Sequence, residues 1–307
     1  MSYSEITPEI FHVTGGFGAQ GAIYGGLVIL DNPIIVMGAS GKNFLKNFRI
    51  FLKDRGYDDP KIRVYLPNVT FNELTVVDDL AKKLENIEIA VHKDLEDVVR
   101  RPRSNYTTDR FYGNMKSLEK HLPEKVENVV GVGKYDTFKT TRSKVLSNPA
   151  PGPHKGHCFY LYEEGRVLAS GILGKFLPKY TYYYLDKTSS FKAYREGIDF
   201  LEDANYDILF HSYDTPVIIS DMNKFVSGMS KTTTEIAKEI LACLDAVPIS
   251  FEKLYQAFMV DYRPDVGEYK KMNYYKVFLH RHLDMLVKQK LVVIDDSNPG
   301  ELLYSRK

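Results

Sequence analysis

Apolar residues gather in short runs between Ile10 and Met37, and these predict consecutive strands: Ile10 to Val13, Gly21 to Tyr24, Gly26 to Leu30 and Ile34 to Met37. Turn residues at Gly15-Gly16 and Asp31-Asn32-Pro33 separate them, which reads as an antiparallel meander. The period then lengthens. Phe44, Leu45, Phe48, Phe51 and Leu52 recur at helical spacing, and Ile62 to Leu66 returns to strand. A β-to-α turn at Pro67 to Asn72 leads into a second helix with Leu74, Val77, Leu80, Ala81 and Leu84 on its apolar side, before a strand at Ile87 to Val91. Such alternation is the pattern of an α/β layer. After a short acidic helix from Lys93 to Val99 comes Arg100 to Lys125, a charged stretch carrying Tyr106, Phe111 and Tyr112 that reads as a surface insertion or a lid over a cleft.

The order then repeats. Strands are predicted at Val129 to Val132, Phe159 to Tyr162 and Arg166 to Ala169, the last two joined as a hairpin by Glu163-Glu164-Gly165. Phe191 to Leu201 reads as a helix, Ile208 to Phe210 as a strand and Lys231 to Leu244 as another helix. Beyond residue 246 the character changes. A helix from Phe251 to Phe258 starts behind Ser250, a longer one runs from Tyr274 to Gln289, and Leu291 to Ile294 with Leu302 to Tyr304 forms a closing hairpin. Helix, helix and two-stranded wing outline a winged-helix module, so two domains are expected, 1–245 and 246–307.

Composition narrows the function classes. Forty-one basic and forty acidic side chains leave a net charge of +1, so any nucleic-acid partner needs a local patch. The terminal helix offers one in Lys270, Lys271, Lys276, His280, Arg281, Lys288 and Lys290, with Lys276 and Arg281 as the candidate nucleic-acid contacts, although nearby acidic residues nearly balance it. Cys158 and Cys243 lie too far apart for a Cys-x-x-Cys ligand pair and suit a reducing compartment. Met1 to Glu5 is polar and no apolar run reaches bilayer length, so a soluble cytoplasmic protein without a membrane partner is expected. Twenty-two Tyr and seventeen Phe with no Trp point to a well-filled core; Tyr180 to Tyr184 reads as an aromatic strand or as the contact of a homo-oligomer. Gly38-Ala39-Ser40-Gly41-Lys42 is too short for a phosphate loop, and Gly15 to Gly21 lacks the following helix of a dinucleotide site.

The stretch Pro151-Gly152-Pro153-His154-Lys155-Gly156, with Ser170-Gly171-Ile172 behind two strands, resembles the ligand loop and the Thr-Gly-Asp turn of the metallo-β-lactamase superfamily. The element order resembles those members with a small C-terminal winged helix, over nearly the whole length. The resemblance implies an α/β fold, a four-layered αβ/βα sandwich whose edge holds one or two metal ions. It also implies where the ligands belong, and there the chain departs from the pattern. Asn68 and Thr70 stand for the first two histidines of His-x-His-x-Asp-His, and Asn72 and Glu73 stand for its Asp-His. Pro153 replaces the loop histidine, Ile172 the bridging aspartate and Tyr213 the last histidine, while Val36 to Gly41 lacks the acid of Asp-Thr-Gly.

Amide and hydroxyl oxygens are poor zinc ligands, and without a metal no water is acidified for attack. Standard dimetal hydrolysis is therefore not expected. The first reading is a non-catalytic pseudo-hydrolase without cofactor, whose vestigial pocket of Asn68, Thr70, Asn72, Glu73, Pro153, His154, Ile172 and Tyr213 serves as an interaction scaffold or holds a small-molecule ligand. The second rebuilds a site for zinc or another divalent metal from Glu73, His154, His157, His211 and Asp214, giving a metal-dependent hydrolase. A third has the protein bind nucleic acid through the winged helix and the 100–125 insertion.

Overall fold

In the computed structural model, which describes residues 2–18, 22–105, 121–172, 188–212, 215–218, 234–261, 274–297 and 300–307, the two rounds of meander and α/β alternation become two facing sheets. The first contains β1 (Tyr3–Thr7), β2 (Ile10–Phe17), β3 (Ile23–Ile29), β4 (Ile34–Met37), β5 (Ile62–Leu66), β6 (Ile87–His92) and β7 (Val129–Val132), in that spatial order. Strands β1 to β4 pair antiparallel, and β4 to β7 pair parallel. Parallel neighbours need crossovers, which α1 (Phe44–Asp54), α2 (Phe71–Lys83) and α3 (Glu96–Arg100) supply.

The second sheet runs β13-β12-β11-β10-β9-β8, built from β8 (Thr137–Lys139), β9 (Lys144–Pro149), β10 (Cys158–Tyr162), β11 (Val167–Gly171), β12 (Ile208–His211) and β13 (Val217–Ile218). Its one parallel pair, β11 with β12, is bridged by the helix Phe191–Asp203.

Side-chain parity turns the two sheets into four layers. In β4, Ile35 and Met37 enter the core between the sheets, while Ile34 and Val36 face the cluster built with α1 and α2. In β10, Cys158, Tyr160 and Tyr162 point inward, and Phe159 and Leu161 face the outer helices. Strands covered on both faces carry unbroken apolar runs, the pattern seen in Ile34 to Met37 and Ile208 to Phe210. On α1, the buried rings of Phe44, Phe48 and Phe51 stack in series at centroid distances of 5.7 and 6.3 Å. Truncating any one of them to alanine costs about 3–5 kcal/mol.

Some boundaries differ from the sequence reading, for steric reasons. Gly15-Gly16 is not a turn: β2 continues through it to Phe17, because a Cβ on Gly15 would lie 1.8 Å from the Ser40 carbonyl oxygen. The two strands expected between residues 21 and 30 are one, β3, whose internal Gly26 lets the backbone pass the Gly38 carbonyl oxygen, 2.4 Å from where a Cβ would stand. The short or polar strands β1, β8 and β9 gave no clear periodic signal. Tyr180 to Tyr184 and most of the 100–125 insertion lie outside the described residues.

The terminal segment consists of the helices Phe251–Asp261 and Tyr274–Lys288 and a three-stranded antiparallel sheet, β14 (Ile249–Ser250), β16 (Leu303–Arg306) and β15 (Val292–Asp295). Leu254, Phe258, Phe278 and Leu283 belong to the same apolar cluster as Phe159, Leu168, Tyr194 and Ile198. The segment thus packs directly on the outer layer of the second sheet. Among the described residues, no helix is long and apolar enough to cross a membrane.

Candidate functional site

The carboxyl ends of β5, β11 and β12 meet the 150–157 loop at one edge of the sandwich. Gly171, the last residue of β11, is the hub. Its φ of +61° suits glycine, and a Cβ there would lie 2.5 Å from His157 Nε2 and 3.0 Å from Asn68 Oδ1. Asn68, just past β5, is fully buried, and its Oδ1 accepts a hydrogen bond of 2.6 Å from the hydroxyl of Ser212, which follows β12. Residues 144 positions apart in sequence are thereby joined across the two sheets.

His157 is held from both sides. Its Nδ1 lies 2.9 Å from the Ala150 carbonyl oxygen, which can only accept, so Nδ1 carries the proton. Nε2 then accepts from the Ile172 backbone N–H at 3.3 Å. Both ring nitrogens are committed to backbone groups. Complete burial, and then the neighbouring His154, hold the His157 pKa well below 6.5, so the ring is neutral. His154 is also fully buried, edge-on to His157 at 5.6 Å between centroids, with Nδ1 3.0 Å from the Lys155 carbonyl oxygen. Further along the edge, Ser170 Oγ and His211 Nδ1 are 2.6 Å apart, both residues buried.

The remaining sequence candidates divide. Ile172 and Pro153 are buried parts of the same edge. Thr70, Asn72 and Glu73 are engaged at the start of α2: the Thr70 backbone N–H donates to Glu73 Oε2 at 2.8 Å, the Thr70 hydroxyl contacts the same oxygen, and the Asn72 N–H reaches Thr70 Oγ1 at 3.3 Å. This is a capping box, so the carboxylate read as a candidate ligand secures a helix start. Tyr213 and Asp214 lie outside the described residues. Among the described residues, no group of three or more His, Cys, Asp and Glu side chains is placed to hold a metal.

Ser212 was not singled out from sequence, and its only signal was a hydroxyl directly after a buried strand. The Thr70-x-x-Glu73 spacing, by contrast, does announce a capping box. In the terminal segment, the two candidate nucleic-acid contacts meet protein partners. Lys276 Nζ is 2.6 Å from Glu252, while Arg281 lies 3.2 Å from Asp284 and 3.3 Å from the Ser189 hydroxyl. The His280 ring stacks on Phe251 at 3.7 Å.

The architecture has counterparts among solved structures. A metallo-β-lactamase family protein from Thermus thermophilus superposes with a TM-score of 0.72 at 13% identity, covering 99% of this chain and all (100%) of that one. A β-lactamase domain protein from Burkholderia ambifaria gives 0.73 at 14% identity, over 99% of this chain and 93% of the other. This chain has the metallo-β-lactamase fold. The two likenesses extend over the terminal segment of the metallo-β-lactamase-fold chain. A flavodiiron protein from Giardia intestinalis is similar over 79% of this chain and 67% of its own, at 12% identity and a TM-score of 0.55. The sequence itself matches no protein-family profile and no curated protein.

Proposed function

We propose that this is a hydrolase-like fold working without metal-dependent hydrolysis, its sandwich edge closed by a neutral hydrogen-bonded plug and the protein serving as a binding or interaction scaffold. The observation that carries this reading is His157, whose two nitrogens are both taken by backbone groups beside the Asn68 and Ser212 pair. A catalytic zinc requires at least three convergent nitrogen, sulfur or carboxylate donors and an open position for water. The described edge offers an amide, hydroxyls, the committed imidazole of His157 and the buried imidazoles of His154 and His211, and among the described residues these are not grouped as three convergent donors, so the set does not fit. Residues 246–307 act, in this reading, as a winged-helix-like element that braces the outer layer; Lys276 and Arg281 serve it through ion pairs, not through phosphates.

The test is metal analysis by mass spectrometry of protein purified without chelator and after dialysis against zinc, manganese and iron(II) salts. The expected result is metal far below one ion per chain and a melting temperature unaffected by chelator. Stoichiometric metal that disappears in His154→Ala and His211→Ala would overturn the reading in favour of a rebuilt site.

A further inference from the structure

On the outer face of the second sheet, away from the plugged edge, a groove of about 640 Å³ opens between β9 and β10 and the helix Phe191–Asp203. Its floor is Leu146, Asn148, Phe159 and Leu161, and its helix wall is Ala193, Gly197 and Phe200. Ala193 and Gly197 stand one turn apart, and their small size leaves the space. Volume and apolar lining fall in the range of small-molecule pockets, roughly 300–1,000 Å³.

The opposite wall is a displayed aromatic ring. Tyr135 has a φ of +61°, an uncommon conformation for a residue with a side chain, and the residue is 63% exposed at the groove mouth. The turn around it is fixed at several points by Ser147. The Tyr135 N–H donates to the Ser147 carbonyl at 3.1 Å, the Ser147 N–H to the Asp136 carbonyl at 3.0 Å, and the Ser147 hydroxyl to the Gly133 carbonyl at 2.8 Å. Such an over-determined turn holds a strained residue where packing alone would not.

The charges at the mouth are unequal. Glu196 is partnered by Lys192 at 3.6 Å along its own helix. Lys134 has its ammonium 4.7 Å from the Tyr135 ring centroid and, among the described residues, is in no ion pair. We infer that the groove is a binding site for a small amphipathic anion, with its apolar body against Phe159, Leu161 and Phe200, one face against Tyr135, and its acid group at Lys134. The inference does not depend on the state of the sandwich edge, whose residues do not line the groove apart from Ala150 and Pro151 at one end.

The test uses the full chain and three probes: 8-anilinonaphthalene-1-sulfonate as fluorescent reporter, and decanoate and decylammonium as competitors of equal chain length and opposite charge. Because the chain has no Trp, reporter fluorescence is read without energy transfer from indole. The expected result is saturable reporter binding, displaced by decanoate at least about tenfold more effectively than by decylammonium, as a charge-assisted contact implies. Gly197→Leu should abolish reporter binding by filling the groove. Lys134→Glu, a surface change that leaves folding intact, should reverse the preference between the competitors. Absence of saturable reporter binding to the folded chain, equal competition by the two probes, or a charge preference unchanged in Lys134→Glu would each overturn the inference.

Discussion

The sandwich edge and the outer groove sit either side of the 150–157 loop and differ in how their polar atoms are placed. At the edge, buried histidines, an asparagine and serines meet at short range: His157 is bonded to backbone on both sides, Ser170 pairs with His211 and Ser212 with Asn68 Oδ1. In the groove, the lining is mostly apolar, and the cation at its mouth has an aromatic face beside it and no described carboxylate partner. The contrast teaches that residue type alone does not make a site: what a side chain can offer a ligand depends on which of its polar atoms the fold has already paired. An ordinary surface lysine beside a displayed ring can offer more to a ligand than three buried imidazoles.

The strongest way to break this comparison is Gly171→Ala, at the hub where His157 and Asn68 converge. Positive φ and a Cβ 2.5 Å from His157 Nε2 should together cost about 3 kcal/mol of unfolding free energy in urea titration. A neutral result would mean that the edge is loose and could be remodelled around a ligand.

Acidification comes next. His282 is fully buried in the terminal core, with its Nδ1 2.9 Å from the Phe278 carbonyl, and burial lowers its pKa from 6.5 to about 4. Across that window the unfolded chain takes up a proton that the folded chain refuses, so stability rises with pH and is lost as pH falls below 6.5. Going from pH 7 to pH 5 should cost about 2 kcal/mol through His282 alone, with His157 adding in the same direction. Parallel urea titrations of the parent and His282→Leu check this, the variant losing that part of the slope. The described groove lining has no histidine, so decanoate binding should not change through titration of the protein in this range.

Smaller effects sharpen the contrast. Ser212→Ala removes the donor to Asn68 Oδ1 inside the plug and should cost about 1–2 kcal/mol, measured as a lower urea midpoint with unchanged slope. Lys134→Gln at the groove mouth should alter stability by no more than about 0.5 kcal/mol while still weakening decanoate. If the two variants exchanged ranks, the assignment of structural and binding roles to the two regions would be reversed.

Much of the fold was legible because it depends on local periodicity. Ile34 to Met37 and Ile208 to Phe210 announced strands covered on both faces, and Phe44, Phe48 and Phe51 announced a helix with one apolar side. Gly15, Gly16, Gly25 and Gly26 misled, because a glycine that permits close approach inside a sheet cannot be told by its neighbours from one that turns the chain. Glu73 was legible in principle, since capping-box spacing is a local rule, but its chemistry suggested a ligand instead.

The sequence by itself determined the succession of strands and helices and the residue types at the places where the resembling family keeps its metal ligands: Asn68, Thr70, Pro153 and Ile172 are amide, hydroxyl and hydrocarbon in any fold. Only the tertiary structure decided that Asn68 meets Ser212, that His157 spends both nitrogens on Ala150 and Ile172, and that Tyr135 stands over a groove floored by Leu146 and Phe159. The physical reason is range. Periodicity and ligand chemistry are properties of a few neighbouring residues, whereas hydrogen-bond satisfaction and the shape of a groove depend on groups that only strand pairing and sheet packing bring together.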